Sequence, residues 1–389
     1  MKILTFSTLY PSAVRPSHGI FVETRLRYLL ASGAVSAKVV APVPWFFSSN
    51  PAFGAYADFA RTARRESRNG IDVYHPRYLL VPKLGMLMAP YSIAAAASRR
   101  MRQVQREGFD FDLIDAHYFY PDGVAAVMLG KRLNKPVVIT ARGTDLSLIP
   151  KYRLPRAMIQ WAAGEAAGMI TVCAALKTTL VELGADENKI TVLRNGVDLQ
   201  RFVPGDREAQ RRMLNLSART LLSVGHLIER KGHDIVIRAL AFLENTDLLI
   251  VGTGPEDAAL RRLAAELGVA SRVRFVGSVE QRALKDYYGA ADALVLASSR
   301  EGWANVLLEA MACGTPVVAS DVWGTPEVVA APEAGVLMKA RTPQALAAAV
   351  EHLFAHMPDR AVTRRYAERF SWDATTAGQI ELFNKILTS

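Results

Sequence analysis

Short runs of β-branched and other apolar residues alternate with helical patterns along almost all of the 389 residues. In the first half, the runs predicted to be strands are MKILTFS, AKVVAPV, DLIDAH, PVVITA and AGMITVC. Between them lie stretches with helical periodicity, for example GIFVETRLRYLLAS and DGVAAVMLGKRL. Because parallel strands need long crossover connections, this alternation predicts an α/β fold with a doubly wound parallel sheet covered by helices on both faces.

One segment interrupts this alternation. Residues 195–206, NGVDLQRFVPGD, contain Gly, Pro and Asp in place of a periodic pattern. The pattern then starts again with the strand-like runs TLLSVG, DLLIVG, RVRFVG, ALVLAS, PVVAS and AGVLMK. We therefore predict two Rossmann-like domains, residues 1–200 and 201–370, that face one another across a cleft. A C-terminal helix at residues 371–389 is predicted to return to the first domain.

Several classes of protein are disfavoured by simple features of the chain. No stretch of 18 residues is apolar and free of charge, so the sequence predicts no membrane-spanning helix. The opening MKILTFSTLYP lacks a small-residue cleavage site and is interpreted as a buried strand, which predicts a cytoplasmic protein. The two cysteines, Cys173 and Cys313, are far apart in apolar contexts, which supports neither a disulfide framework nor a cysteine metal site.

The net charge of +10 is distributed unevenly. Residues 1–205 contain 26 Lys and Arg against 15 Asp and Glu, whereas residues 206–389 contain 21 against 22. Much of the excess lies at residues 60–68 and 97–106, and the second run follows the apolar stretch LGMLMAPYSIAAAA at 84–97. This pattern favours peripheral contact with an anionic membrane or a phosphate-bearing substrate, although a solvated helix face is an equally good explanation. Nucleic-acid binding is supported only by the isoelectric point of about 9.6, with no aromatic-rich motif.

Two glutamates stand out in residues 298–321, SSREGWANVLLEAMACGTPVVASD. Glu301 precedes an apolar helical pattern, where a carboxylate stabilises the helix dipole. Glu309 lies inside that pattern, where an ionised carboxylate needs hydrogen-bonding partners. If one helix carries both, their separation turns the chain by about 80° net and advances it by about 12 Å. Both carboxylates would then lie toward one side, within reach of one elongated ligand.

Charged and polar residues follow several of the predicted strands. Ligands of open parallel sheets bind beyond the carboxyl ends of the strands, so these positions are candidate site residues. Arg230 and Lys231 follow TLLSVG and precede Gly232 and a helix, which favours a pyrophosphate, although such a pair alone is more often solvated surface. His117 follows DLIDA and Asp145 follows ITARG. Each of these has a structural alternative, as a loop histidine and as a helix cap.

The chain resembles the retaining glycosyltransferases of family 4, which have the GT-B fold. In the second half, the resemblance rests on VGHLIERKGHD, IVGTGPE, RVRFVGSV, YYGAADALVLASSREGWANVLLEAMACGTPVVAS and GTPEVV, in the order of the family. In the first half, it rests on the glycine loop at Gly19 and on DLIDAH, VITARGTD and NGVDLQRF. The most specific element is the pair of glutamates with the continuation EAMACGTPVV.

This resemblance implies a role for each candidate residue. Glu301 would contact hydroxyls of the donor sugar, and Glu309 would bind the ribose hydroxyls, because a carboxylate offers two acceptor oxygens to a diol. Lys231 and Arg230 would bind the donor phosphates, and His117 would face the reacting centre. The remaining donor-binding residues implied by the resemblance are Gly19, Arg142, Asp145, Val279, Gly302, Trp303, Ala304 and Asn305.

Two positions depart from the family pattern. Many relatives have an arginine where this chain has His226, so Arg230 would supply that charge here. Relatives often have His-Gly where this chain has Arg142 and Gly143. Arg142 could add an anion contact, which leaves the donor-side role of the position open.

The resemblance implies transfer of a hexose or amino-hexose from a nucleoside diphosphate sugar to a glycan or lipid-linked sugar acceptor, with retention, in the synthesis of surface polysaccharide or lipopolysaccharide. No cofactor and no metal are expected, since no paired acidic motif follows a strand. Alternatives on the same fold are a nucleotide-sugar epimerase, a phosphorylase and a non-catalytic binder of nucleotide sugars. A nicotinamide-dependent oxidoreductase is disfavoured because GTGPED places Asp257 where a dinucleotide loop has a small residue.

Overall fold

The computed structural model describes residues 1–80 and 85–388. The chain divides into two compact units. The first comprises Met1–Leu193 together with Asp373–Ser389, and the second comprises Arg194–Trp372. Each unit has its own large sheet.

The sheet of the first unit has eight strands in the order β10-β9-β8-β7-β1-β2-β5-β4. All neighbouring strands are parallel except β4 and β5, which form an antiparallel hairpin, and a separate small parallel sheet pairs β3 with β6. The strands are β1 (Lys2–Phe6), β2 (Ser36–Val40), β3 (Val43–Pro44), β4 (Arg65–Arg68), β5 (Ile71–Tyr74), β6 (Arg77–Tyr78), β7 (Leu113–His117), β8 (Val137–Ala141), β9 (Gly168–Thr171) and β10 (Ile190–Val192).

All five strands predicted from β-branched runs in the first unit are present, as β1, β2, β7, β8 and β9. Strands β7 and β8 are buried along their whole length, as expected for parallel strands covered on both faces. Strand β4 escaped prediction because its sequence, RESR, is polar throughout and belongs to the edge of the sheet.

The helices that surround this sheet are α1 (Ile20–Ala31), α2 (Ala55–Arg61), α3 (Gly85–Arg106), α4 (Val124–Leu133), α5 (Thr144–Ser147), α6 (Arg153–Glu165) and α7 (Ala174–Glu182). The apolar run expected at 84–97 falls mostly in α3, and its first residue, Leu84, lies outside the described residues. The basic run at 60–68 is not a helix face, because it spans the end of α2 and strand β4.

The sheet of the second unit has six parallel strands in the order β13-β12-β11-β14-β15-β16. These strands are β11 (Arg219–Val224), β12 (Thr246–Val251), β13 (Val273–Gly277), β14 (Ala293–Leu296), β15 (Val317–Ser320) and β16 (Gly335–Met338). Each coincides with a run predicted to be a strand. The order is that of the doubly wound Rossmann fold, in which the chain starts in the middle, builds one side and then returns to build the other.

Helices pack on both faces of the second sheet, and their apolar sides form its core with Leu221, Leu248, Val295 and Val318. They are α8 (Arg207–Met213), α9 (His233–Ala239), α10 (Asp257–Glu266), α11 (Leu284–Ala290), α12 (Asn305–Ala312), α13 (Thr325–Val328), α14 (Pro343–Ala355) and α15 (Arg360–Glu368). The last helix, α16 (Trp372–Thr388), enters the first unit, where Phe383 packs in the core with Ile3 and Leu26.

Each sheet has one point at which the strand order reverses. In the first unit this switch point lies between β1 and β7, and in the second it lies between β11 and β14. The loops that leave neighbouring strands at a switch point diverge to opposite faces of the sheet, which opens a crevice beyond the strand ends. The candidate residues of each unit are therefore expected at these two crevices.

Candidate functional site

In the second unit, the loops after β11 and β14 meet through an ion pair. Lys231 Nζ lies 2.6 Å from Glu301 Oε1, and the Ser298 hydroxyl donates to the same oxygen at 2.7 Å. A backbone hydrogen bond from Ser299 N to the carbonyl of Arg230 also joins the two loops. These contacts bring together residues that are 70 positions apart in the sequence.

Gly232 allows this close approach. Its φ is +68°, in the left-handed region, and it caps the N-terminus of α9. A Cβ atom at this position would lie 2.1 Å from the carbonyl oxygen of Ala297 in the loop after β14. No side chain fits there, so a glycine is required to place Lys231 beside the second loop.

The electrostatics of Glu301 favour its ionised form. The carboxylate is buried, with only 8% of the residue exposed, and burial alone favours the neutral acid. The charge of Lys231, its hydrogen bond and the Ser298 hydroxyl outweigh this effect and lower the pKa of Glu301. The site therefore holds a fixed anion, which can accept hydrogen bonds from hydroxyls, against a fixed cation, which can pair with a phosphate.

Arg230 lies on the same side of this crevice. One terminal guanidinium nitrogen donates to the carbonyl of Arg300 at 2.8 Å and lies 3.7 Å from Glu301 Oε2. The structure thus brings together three predicted site residues, Arg230, Lys231 and Glu301. The adjacent His226, which occupies the position where many relatives have an arginine, is exposed in the loop directly after β11.

The expectation that one helix carries both glutamates is wrong. Helix α12 begins at Asn305, so Glu301 belongs to the loop before it and only Glu309 is helical. The side chains of Trp303 and Ala304 are buried, while Gly302 and Asn305 are partly exposed. Within the described ranges, the amides of residues 302–304 donate to no protein acceptor. These amides precede a helix N-terminus and suit an anion.

Glu309 finds a partner that the sequence analysis missed. The Tyr288 hydroxyl, on α11, donates to Glu309 Oε2 at 2.8 Å. Burial raises the pKa of Glu309 to about 7, against the opposing effects of this hydrogen bond and of the charge of Arg201. Glu309 is partly exposed, and no hydrogen bond from the described residues reaches its second carboxylate oxygen. Val279, the remaining predicted donor residue of this unit, is partly buried two residues after β13.

In the first unit, His117 lies at the end of β7 within a buried polar chain. Its Nδ1 accepts a hydrogen bond from Arg142 at 2.6 Å, and its Nε2 lies 3.2 Å from Asp115 Oδ2. Asp115 also accepts from the Gln379 amide at 3.2 Å, and Gln379 accepts from Arg25 at 2.7 Å. Both ring nitrogens of His117 are therefore occupied by protein groups.

His117 is neutral in this arrangement. Burial lowers its pKa to about 4, and the charge of Arg142 acts in the same direction. The Arg142 guanidinium always donates, so Nδ1 must be the acceptor and Nε2 must carry the proton. His117 is 1% exposed, whereas Arg142 is partly exposed. The Arg142 guanidinium thus lies between His117 and the ring of Phe21, whose centroid is 5.3 Å from the guanidinium carbon.

Asp145 serves the backbone of its own loop. Its carboxylate accepts from the amides of Phe119 at 2.7 Å, Gly143 at 2.6 Å and Arg142 at 3.1 Å. The residue is fully buried. Its contacts hold the loop after β8 against the loop after β7, but Asp145 is not the helix cap, because it lies inside α5, whose N-cap is Gly143.

Gly19 ends the long loop after β1 and caps α1 with a φ of +69°. A Cβ here would lie 2.2 Å from the carbonyl oxygen of Leu9, so the loop closes tightly on itself. The sequence analysis missed Asp122, which anchors the start of this loop by accepting from Thr8 N at 2.7 Å and from the Ser7 hydroxyl at 3.2 Å. Burial raises the pKa of Asp122 to about 7.

Some of the missed residues carried a signal in the sequence. Asp115 precedes His117 by two residues in a strand, so both side chains lie on one face of the sheet. Tyr288 belongs to the quoted motif YYGAAD. Gln379 carried no such signal, because nothing in the sequence around it indicates that its amide contacts Asp115 on β7.

Among residues 1–80 and 85–388, no group of three or more His, Cys, Asp or Glu side chains could hold a metal ion. The same residues contain no helix with the length and apolar character needed to cross a bilayer.

Two doubly wound parallel sheets, with polar groups gathered at the switch point of each, define the GT-B class of fold. Residues 206–370 match the family described as glycosyl transferases group 1, and residues 59–201 match glycosyltransferase family 4. Over 360 residues, the chain is 31% identical to TuaC of Bacillus subtilis (strain 168), a glycosyltransferase assigned by name to teichuronic acid biosynthesis. That match covers 90% of this chain and 88% of TuaC.

Two solved structures show the same fold. Sucrose-phosphate synthase from Thermosynechococcus elongatus has a TM-score of 0.79 at 21% identity, with 100% of this chain and 99% of that chain covered. The Anabaena protein HepE, solved in complex with UDP-glucose, has a TM-score of 0.73 at 20% identity, with 98% of both chains covered. The chain therefore belongs to family 4 of the glycosyltransferases and has the GT-B fold.

Proposed function

We propose that this glycosyltransferase moves a hexose or amino-hexose from a nucleoside diphosphate sugar to an acceptor hydroxyl with retention of anomeric configuration. The acceptor is a glycan or lipid-linked sugar in the synthesis of surface polysaccharide or lipopolysaccharide. TuaC, which carries a name from teichuronic acid biosynthesis, supports the polymer class. HepE, whose structure contains UDP-glucose, supports a nucleotide sugar as donor.

The observation that carries this proposal is the Lys231–Glu301 ion pair at the switch point of the second unit. A diphosphate needs cations and free amides, which Lys231, Arg230 and the loop 302–304 supply. A sugar needs an acceptor for its hydroxyls, which the Glu301 carboxylate supplies. Glu309 lies in α12, the helix that follows this loop, and its carboxylate would accept from the ribose diol. The diphosphate, the sugar and the ribose of a nucleotide sugar thus each have a partner.

In the proposed reaction, the bond between the anomeric carbon and the diphosphate oxygen breaks, and a bond from the acceptor oxygen to the same face of that carbon forms. The proton of the acceptor hydroxyl passes to the departing diphosphate. Lys231 and Arg230 stabilise the negative charge that develops on that diphosphate. Neutral His117 acts in this scheme by holding Arg142, since both of its ring nitrogens already have partners.

A binding experiment tests the donor site. The melting temperature is measured with UDP, GDP, ADP and their sugar conjugates, because a ligand of the native state raises it by mass action. We expect one nucleotide to stabilise the wild type, and Glu309→Ala to lose that response. Glu266→Ala, an exposed glutamate on α10, is the matched control. If no nucleotide shifts the wild type, the proposed donor site is wrong.

Turnover separates the alternatives on the same fold. A nucleotide-sugar epimerase would convert the donor in the absence of acceptor, and a non-catalytic binder would bind it without any turnover. A transferase releases the nucleoside diphosphate only when an acceptor is present, and NMR of the product reports whether the anomeric configuration is retained. We expect activity to persist in the presence of a chelator, because the proposed charge stabilisation comes from Lys231 and Arg230.

A further inference from the structure

Helix α3 carries an unusual outward face. Six of its eight exposed residues follow one another at spacings of three or four, and because 18 residues make five complete turns, these six form a single stripe; the other two are Met86 and Gln103. Members of the N-terminal half of this stripe are apolar, and members of the C-terminal half are basic. In order, they are Met88, Tyr91, Ala95, Arg99, Arg102 and Arg106. The stripe is about 27 Å long.

A second apolar segment lies beside the start of this helix. Strands β3 and β6 pair in parallel, with Pro44 opposite Tyr78. Trp45 and Leu79, the residues that follow this pair, therefore lie side by side where the two strands end. Trp45 is 53% exposed and Leu79 is 63% exposed. The Ser92 hydroxyl on α3 donates to the carbonyl of Leu79, which ties this edge to the helix.

The residues after Trp45 form a knob of aromatic rings. Phe46 lies 4.6 Å from Phe47, 5.3 Å from Phe53 and 5.3 Å from Tyr56, measured between ring centroids. The rings pack on one another, yet Phe47 remains 69% exposed and Tyr56 54% exposed. An aromatic cluster that leaves this much surface in water is typical of a surface that another body covers.

The charges that helix α3 itself carries are of one sign. Helix α3 contains no acidic residue, and the described residues form no ion pair with Arg99, Arg102 or Arg106. The other basic run of the unit differs, because Arg65 pairs with Asp72 at 2.9 Å and Arg68 pairs with Glu23 at 2.9 Å. The arginines on the stripe of α3 therefore have charge available to an external partner, whereas Arg65 and Arg68 are already paired.

We propose that the stripe of α3, Met86 and the aromatic segment 45–56 together form a docking surface for an anionic lipid bilayer. Amphipathic helices that lie in the bilayer interface combine an apolar face with Lys and Arg, and Trp and Tyr favour the same depth. The arginines of the stripe meet the negative potential of the lipid headgroups. A second copy of the chain is a poorer partner, because a two-fold contact through this face would add more arginines without any carboxylate.

This proposal is independent of the donor chemistry, and its test needs no substrate. Binding of the full chain is measured by co-sedimentation with vesicles of phosphatidylcholine alone and of seven parts phosphatidylcholine to three parts phosphatidylglycerol. We expect binding to the anionic vesicles and none to the neutral ones. Added salt should weaken that binding, because exposed charges are screened.

Three variants locate the surface. The basic variant removes three arginines of the stripe, the apolar variant removes two exposed rings, and the control removes three exposed arginines of the second unit. The basic variant is Arg99→Gln with Arg102→Gln and Arg106→Gln. The apolar variant is Phe47→Ser with Tyr91→Ser. The control variant is Arg262→Gln with Arg365→Gln and Arg369→Gln. All changed residues are exposed, and each variant's melting curve checks that it folds.

We expect the basic variant to lose roughly a hundredfold in partition to anionic vesicles, at about 1 kcal/mol per arginine. The apolar variant should lose at least about tenfold, and the control should bind as the wild type does. Equal binding of the wild type to neutral and anionic vesicles would overturn the proposal, as would an equal loss in the control. A wild-type dimer that the apolar variant abolishes, without vesicle binding, would instead assign the surface to self-association.

Discussion

The substitution Glu309→Gln should stabilise the free protein and weaken nucleotide binding. In the folded chain, burial raises the pKa of Glu309 to about 7, from an ordinary value of 4.5. The folded state therefore binds this proton more tightly than the unfolded state does. Stability is undiminished below the unfolded pKa, falls as pH rises from 4.5 to 7, and stays low above that window. The glutamine amide of the variant would keep a hydrogen bond with Tyr288 and carries no charge to bury.

The pKa difference sets the size of this effect. When the difference in proton binding between the folded and unfolded states is integrated over pH, Glu309→Gln is expected to raise the free energy of unfolding by up to about 3 kcal/mol at pH 8 and about 1 kcal/mol at pH 5. Partial exposure of the side chain makes these upper bounds. A gain of about 3 kcal/mol raises the melting temperature of a domain of this size by roughly 6 to 12 °C.

Melting curves of the wild type and Glu309→Gln at pH 5 and pH 8 measure the gain, with the exposed Glu266→Gln as the matched control. A loss of stability at pH 8, or the same gain at both pH values, would refute the reasoning from burial. Calorimetric titration with the preferred nucleotide measures the second effect. We expect wild-type affinity to fall below pH 7, by up to about tenfold per pH unit, and the variant to bind weakly at every pH. Unchanged binding by the variant would exclude the ribose role while leaving the stability result intact.

Three further outcomes are expected. Lys231→Met leaves the buried Glu301 carboxylate without its cation, so we expect kcat/KM to fall at least about a hundredfold and the melting temperature to fall with it; steady-state kinetics with an unchanged kcat/KM would contradict this. Gly232→Ala should unfold the second unit at a lower temperature, since its φ of +68° and the facing carbonyl leave no room for a methyl group, and a melting curve like that of the wild type would argue against it. His117→Gln should remove an acid sensitivity of the first unit. Burial lowers the pKa of His117 to about 4 in the folded state, so the wild type keeps its full free energy of unfolding above pH 6.5 and loses part of it as pH falls toward 4. A wild type and variant with the same Tm profile between pH 7 and pH 4 would contradict the neutral state.

The sequence was most informative where burial leaves a local trace. Buried parallel strands such as β7 and β14 are continuous apolar runs, so the strands that build the centres of both sheets could be predicted. The positions of Lys231 and Glu301 beyond strand ends, and of His117 at the end of β7, were predicted from the same strand pattern. Strand β4 could not be found in this way, because an edge strand buries little and its sequence is polar.

The partners of these residues were decided by the tertiary structure. The periodicity around Glu301 and Glu309 suggested one helix, but the loop before α12 turns Glu301 toward Lys231. His117 was expected at the reacting centre, yet Asp115 and Arg142 occupy both of its nitrogens.

By itself, the sequence determined the fold class and which segments carry polar residues at strand ends, because period and composition report how deeply each segment is buried. Only the tertiary structure decided which charges meet, which carboxylate has a raised pKa and which arginines remain available at the surface. Such properties depend on atoms from residues far apart in the chain, as with Gln379 and Asp115. No local pattern encodes these contacts.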